Sequence, residues 1–273
     1  ITEDAIVSFS GGRTSGYMLK QILDANNGEL PDNLKVVFAN TGKEMPQTLD
    51  FVRDCGEQWN IPIIWLECRT RRGGEGENKY VYQTVIVNHE TASRHGEPFS
   101  ELIKARSYMP NPIARFCTQE LKVNPIGKWG NEEFGQKDWV SIVGIRADEQ
   151  RRVAKMRDRN DVITPLADAK VTKEMVGQFW KSQPFDLQLP NNNGVTDFGN
   201  CDLCYLKGAG KKISIIREKP ELADWWIQQE AELSAELGKG AFFRADQPSY
   251  AQMKIIATDQ GAFDFGDDDT VPC

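Results

Sequence analysis

The chain has 273 residues, with 33 lysines and arginines against 40 aspartates and glutamates, giving a net charge of −7 and a pI near 5.1. That acidic balance argues against a protein that coats nucleic acid by bulk charge, and leaves only a local basic cleft for such a partner. No apolar run nears the ~20 residues that span a bilayer, and ITEDAIVSFS lacks the basic-then-apolar order of a secretory signal, so a cytoplasmic chain without membrane partners is expected.

AIVSFSGG reads as a short buried strand that ends in a glycine turn, and TSGYMLKQILDAN follows with helical spacing of Tyr17, Leu19, Ile22 and Leu23. LKVVFANTG is a second strand. MPQTLDFVRDCGEQWN is a helix with Pro46 in its first turn, and IPIIWLECR is a third strand. This alternation predicts a parallel sheet with crossover helices. TRRGGEGENKY, Gly-rich and charged, reads as a mobile loop, and VYQTVIVNHETAS has an alternating pattern. CTQELKVNPIGKWGNEEF starts as a helix interrupted at Pro125, DWVSIVGIR is another strand, and KEMVGQFWKSQ is an amphipathic helix after Thr172. CDLCYLKGAGKKISIIREKPELADWWIQQEAEL is helical from about Gly210 and broken near Pro220. The tail from about residue 240 reads as loop, and the natural chain is expected to continue past Cys273.

Ser8-Phe9-Ser10-Gly11-Gly12-Arg13-Thr14-Ser15 lies between a strand and a helix. Glycines let the main chain approach an anion, the helix start offers unpaired N–H groups, and Ser10, Thr14 and Ser15 add hydroxyl donors. No GK[ST] follows, so this is not a Walker loop. The six cysteines are too few for a disulfide scaffold, and in a reducing compartment they act as ligands, nucleophiles or small core residues. Cys55 and Cys68 sit within predicted elements and read as core. Cys201 and Cys204 form a C-x-x-C that serves equally as a redox pair or a metal half-site. Lys122 and Arg146 are the basic residues best placed to neutralise an anion, and Arg151, Arg152, Lys155, Arg157 and Arg159 read as a solvated face. Asp148 and Glu149 either hold Mg²⁺ or pair with those arginines. His89 and His95 have no companion ligands, and the Trp225-Trp226 pair is at helical register for packing.

SFSGGRTS resembles the phosphate-binding loop of the PP-loop ATP pyrophosphatases, and among them the phosphoadenosine phosphosulfate (PAPS) reductase family. FANTGKEMPQTLDFV, CTQELKVNPI, VGIRADEQRR and TPLADAKVTKEMVGQFW are similar to that family's later segments in the same order, over residues 5–230. Thr14 stands where many members have an acidic residue, Asn40 stands where Asp is frequent, and the Trp common after Pro-Leu is missing from TPLADAK. The resemblance implies a doubly wound, mostly parallel α/β sheet of the adenine nucleotide alpha-hydrolase type over residues 1–190. A partly helical cysteine-bearing region, 191–273, would pack on it. It implies an adenine nucleotide, ATP or an adenosine phosphosulfate, lying near Phe9 and Phe38-Ala39-Asn40. Ser8, Ser10, Gly11, Gly12, Arg13, Thr14, Ser15, Asn40, Thr41, Gly42, Gly144 and Arg146 would hold it.

The late Cys-x-x-Cys matches relatives in which it joins an early cysteine motif around a [4Fe–4S] cluster. Here that gives Cys117, Cys201 and Cys204 as ligands, with Cys273 as the fourth candidate or an external thiol or sulfide in its place; zinc and uncomplexed thiols are the alternatives. Three activities follow. One is thiol-dependent reduction of an adenosine phosphosulfate to sulfite, with Cys273 as nucleophile, Lys122 and Arg146 at the reacting centre, and a thiol or electron-donor protein as partner. Another is ATP-dependent thiolation of a nucleic acid. The third is a nucleotide sensor or partner protein that has lost its chemistry, a reading motivated by Thr14 and Asn40.

Overall fold

A computed structural model describes residues 2–136, 138–191, 196–199 and 201–259, so Cys273 lies outside the described residues. The strands are β1 (Asp4–Ser8), β2 (Leu34–Ala39), β3 (Ile63–Arg72), β4 (Tyr80–Val87), β5 (Trp139–Val143) and β6 (Val162–Ile163). They form one sheet in the order β4-β3-β2-β1-β5-β6. Pairings are parallel except β3–β4, with Ser8 opposite both Val37 and Val143. The chain winds outward from β1 through α1 (Arg13–Asp24) to β2 and through α2 (Pro46–Gln58) to β3, then returns to place β5 on the other side of β1. The crevice at the carboxyl ends of β1 and β5 is therefore the switch point where such sheets take ligands.

Both faces of the central strands are covered, which is why they read as apolar runs rather than alternating ones. Ala5 and Val7 of β1, with Val36 and Phe38 of β2, point into a large core that extends to Trp180, Trp226 and Tyr250. Ile6, Val37 and Leu66 face the opposite side, against Ile126, Trp129 and Trp139. Cys55, Cys68 and Phe38 are buried in the large core, as expected of small or aromatic apolar groups. The helix α8 (Lys173–Lys181) packs on α1, and the Trp180 indole N–H donates to the Arg13 carbonyl at 2.8 Å, fixing the start of α1.

Three expectations need correction. The stretch read as a mobile loop is the end of β3 and a turn, closed by Gly73 N–H to the Lys79 carbonyl, that leads into antiparallel β4. Cross-strand pairing of Arg71 with Val81 and Arg72 with Tyr80 outweighs the glycine content. Pro125 does not end the helical run: α4 (Phe116–Thr118) continues through a π turn at Gln119–Val123 into α5 (Asn124–Phe134), and the wider turn directly before the ring accommodates the hydrogen bond that proline cannot donate. The tail beyond 240 is not all loop. After α9 (Ala209–Glu218) and α10 (Leu222–Leu237) comes α11 (Tyr250–Asp259), anchored by buried Tyr250, Met253 and Ala257. Trp226 is wholly buried and Trp225 packs against Phe99 of α3 (Glu97–Arg106), so the pair serves helix packing. Among the described residues no helix is long and apolar enough to cross a membrane.

Candidate functional site

At the carboxyl end of β1 the chain turns at Gly11, whose φ of +72° is open to glycine and strained for other residues. A Cβ there would lie 2.7 Å from Thr48 Cγ2 of α2. Gly12 then enters α1 in an extended conformation, with no side-chain cap and no acidic residue in the first turn. The helix start thus presents free N–H donors and its positive dipole end at the crevice. The hydroxyls of Ser10 and Ser15 lie 3.0 Å apart, and Ser15 also donates to the Gly12 carbonyl, which shapes the loop from within. The Ser8 hydroxyl contacts Ser141 of β5 at 3.1 Å.

The segment after β5 closes over this loop. Gly144 passes so near α1 that a Cβ on it would lie 3.3 Å from Ser15 Cα. Arg146 donates from Nη1 to the Thr14 hydroxyl at 3.1 Å and is steered by Asp148, while Glu149 accepts from the Arg146 N–H and from Arg152. Both carboxylates considered for Mg²⁺ are engaged by arginine. Arg13 behaves differently from the other loop residues. Its guanidinium is buried and forks onto Asp186 (2.7 and 2.8 Å) and the Leu187 carbonyl, so only its main chain is offered to an anion.

The loop after β2 forms the next wall. Asn40 is wholly buried; its amide donates to Glu67 (2.7 Å) and the Ser93 carbonyl, and its own oxygen accepts from the Gly42 N–H. Gly42 is overlaid by Gly96, whose N–H donates to its carbonyl. Thr41 donates both N–H and hydroxyl to Glu44. Glu44 in turn accepts from Lys122 Nζ at 3.2 Å. Burial would lower the Lys122 pKa, but the Glu44 carboxylate and the nearby Cys201 more than offset it, and the group is held as an ammonium.

The C-x-x-C returns to this same wall. Glu44 and Cys201 form an isolated antiparallel bridge, Asp202 N–H donates to the Lys43 carbonyl, and Cys201 Sγ lies 3.6 Å from the Thr41 hydroxyl. The turn is locked by Lys207, whose ammonium donates to the carbonyls of Gly199, Cys201 and Asp202. A buried pair, Lys43 Nζ to Asp202 at 2.8 Å, ties it further, with the Trp226 indole donating to the same carboxylate. Across the pocket Cys117 Sγ contacts the Tyr205 hydroxyl at 3.2 Å. Burial pushes the Cys117 and Cys201 thiols up; Tyr205 and Lys122 respectively pull them back, and the charge of Cys204 acts on both. Among the described residues no three Cys, His, Asp or Glu side chains gather closely enough to hold a single metal ion.

The fold thus collects the expected residues into two adjoining groups. Ser8, Ser10, Gly11, Gly12, Thr14, Ser15, Gly144 and Arg146 gather at the β1–β5 crevice, joined by the main chain of Arg13. Asn40, Thr41, Gly42, Lys122, Cys117, Cys201 and Cys204 line the β2 side. Cys273 falls outside the described residues. Sequence reading missed Glu44, Glu67, Asp186 and Tyr205. They meet partners distant in the chain; the one local hint was Lys43-Glu44 directly after the Thr-Gly turn, a charged pair at a strand end.

Comparisons with known proteins identify the family. The phosphoadenosine phosphosulfate reductase domain model matches residues 4–161, more than half of the chain. An uncharacterized nin region protein of Escherichia phage lambda is 34% identical over 208 residues, covering 76% of this chain and 67% of its own length. An uncharacterized protein of Methanocaldococcus jannaschii is 29% identical over 253 residues, covering 88% of this chain but 44% of its own length. A 37.8 kDa protein of Escherichia phage 186 is 32% identical over 136 residues, of which this chain spans 39% of the relative. The chain belongs to the phosphoadenosine phosphosulfate reductase domain family, a family of nucleotide-binding proteins that act on sulfur.

Proposed function

We propose that this chain binds an adenine nucleotide with its anionic tail on the Ser10–Ser15 loop and Arg146, and reduces an adenosine phosphosulfate to sulfite. The observation that carries this reading is the 3.6 Å approach of Cys201 to Thr41, which sets a thiol beside one of the loops proposed to hold the nucleotide. Unpaired N–H groups and an arginine fork suit phosphate and sulfate oxygens. Lys122, kept charged by Glu44, would neutralise the sulfonate.

In the reaction a thiolate attacks the sulfur of the sulfate group, and the S–O bond to the phosphate breaks. The nucleotide leaves with that bond's electron pair. A second thiol then attacks the S-sulfonate, releasing sulfite and leaving a disulfide, so two thiols are oxidised as sulfur is reduced. The Cys117 and Cys201 thiols, raised by burial, are poor nucleophiles at rest. The attacking thiol therefore comes from Cys273 or from a donor thiol or protein. Cys117, Cys201 and Cys204 are read as ligands. Cys201 and Cys204 are buried and Cys117 half-buried, and their all-thiolate donor set would suit a [4Fe–4S] group in which each thiolate holds a different iron. When bound, such a group would supply a charged, redox-active centre beside the reacting sulfur.

A second reading, ATP-dependent thiolation of a nucleic acid, draws support from exposed Arg151, Lys155 and Arg157 on and just after α6 (Gln150–Met156), next to Arg146. Anaerobically prepared protein tested with adenosine phosphosulfate, its 3′-phosphorylated form and a dithiol should release sulfite and nucleotide in equal amounts. No sulfite, with pyrophosphate released from ATP only when RNA or DNA is added, would replace the first reading with the second.

A further inference from the structure

Four lysines lie around the Cys201–Cys204 turn, and three have obvious partners. Lys43 pairs with Asp202, Lys122 with Glu44, and Lys207 with three carbonyls. Lys212, in the first turn of α9, is 0% exposed, and its Nζ has no hydrogen-bond partner among the described residues. Its ammonium lies over the Tyr250 ring, 4.9 Å from the centroid, a contact that offsets only part of its lost hydration. The nearby carboxylates are engaged elsewhere. Glu230 accepts from the N–H groups of Phe243 and Tyr250, and Asp246 pairs with Arg244. Arg244 adds like charge, and the Tyr250 ring beneath the ammonium donates its hydroxyl to the Leu203 carbonyl at 2.6 Å, which sets Lys212 behind the turn that carries Cys204.

A buried ammonium without a counter-charge is unfavourable, and proteins retain one where an anion completes it. An iron–sulfur group ligated by several thiolates carries net negative charge. We propose that Lys212 is the counter-cation of an iron–sulfur group held by Cys117, Cys201 and Cys204, acting through Cys204 to retain that group and set its potential. This rests on reading the three thiols as ligands. Lys212 is thus a tuning residue behind the site rather than a residue that touches substrate. The consequence is a reversal of sign: the charge of Lys212 weakens the iron-free fold and strengthens the iron-loaded one.

The test compares the full chain with Lys212→Met, Lys212→Gln and the control Lys211→Met, each purified without oxygen and reconstituted with ferrous iron and sulfide. Three quantities are read: thermal midpoint of the iron-free protein, rate of iron loss to a chelator, and reduction potential. Iron-free Lys212→Met should melt above the parent. Once loaded, it should lose iron about tenfold faster, the scale of an outer-shell ligand partner. Its potential should fall, because a nearby cation favours the added electron. Lys212→Gln should follow it in iron loss and potential, and Lys211→Met should match the parent. Equal iron loss and potential in all four proteins would overturn the proposal, as would a lower melting point for iron-free Lys212→Met. Failure of the parent itself to take up iron would instead sink the ligand reading on which the proposal stands.

Discussion

The crevice between β1 and β5 and the thiol pocket beside β2 face the same edge of one sheet, yet they handle charge in opposite ways. In the crevice the main chain does most of the binding work. A glycine turn and a helix start face the crevice, while the Ser10, Ser15 and Thr14 hydroxyls and the charged side chains nearby are already engaged: Ser10 with Ser15, Arg13 with Asp186, Arg146 with Asp148 and Thr14. Around the thiols the side chains form buried ion pairs, and one cation, Lys212, is left without a hydrogen-bond partner among the described residues. On the proposed reading the first region takes a ligand that comes and goes, and the second a resident group.

The comparison is broken most forcefully by unpairing Arg13. Asp186→Ala leaves a buried guanidinium without its carboxylate, and a destabilisation of about 3 kcal/mol or more is expected in denaturant unfolding. A result near zero would mean that the crevice is no more pre-paired than the pocket.

The second test concerns pH in the iron-free protein. Burial, and then Arg244, pull Lys212 down from 10.5 to about 8. Between those values the unfolded chain binds the proton and the folded chain does not, so stability should rise with pH across pH 8 to 10.5. The destabilisation is full below pH 8 and gone above 10.5, and amounts to about 3 kcal/mol. The difference between the parent and Lys212→Met, followed by chemical unfolding across that window, isolates this term from other titrating groups. A flat difference would mean that the pocket holds no unpaired charge.

Gly11→Ala meets both a positive φ and the Thr48 methyl, and should cost about 2 kcal/mol while abolishing nucleotide binding in calorimetric titration. Arg146→Ala sharpens the contrast most gently. Its side chain is partly exposed, so stability should hardly change, whereas losing a charged hydrogen bond should weaken adenine-nucleotide binding about tenfold. Equal affinity would place the anion elsewhere.

Much of the crevice was legible because it is local. Ser8 through Ser15 are contiguous, and glycine plus hydroxyl composition between a strand and a helix has a direct backbone meaning. The thiol pocket was legible only as a set of candidates. Nothing in CDLC says that Cys201 will bridge to Glu44, or that Cys117 will meet Tyr205, because those contacts join segments far apart in the chain. Arg13 shows the limit from the other side: composition offered it to an anion, and the fold spent its guanidinium on Asp186.

By itself the sequence determined the alternation of strands and helices, the glycine bend and the family pattern, since short-range sterics and apolar periodicity write these into neighbouring residues. Tertiary structure alone decided which charges are paired and which are left bare. Desolvation and Coulomb energy depend on what surrounds a group in space, and for Lys212, Glu44 and Arg13 those surroundings are assembled only when distant segments close on one another.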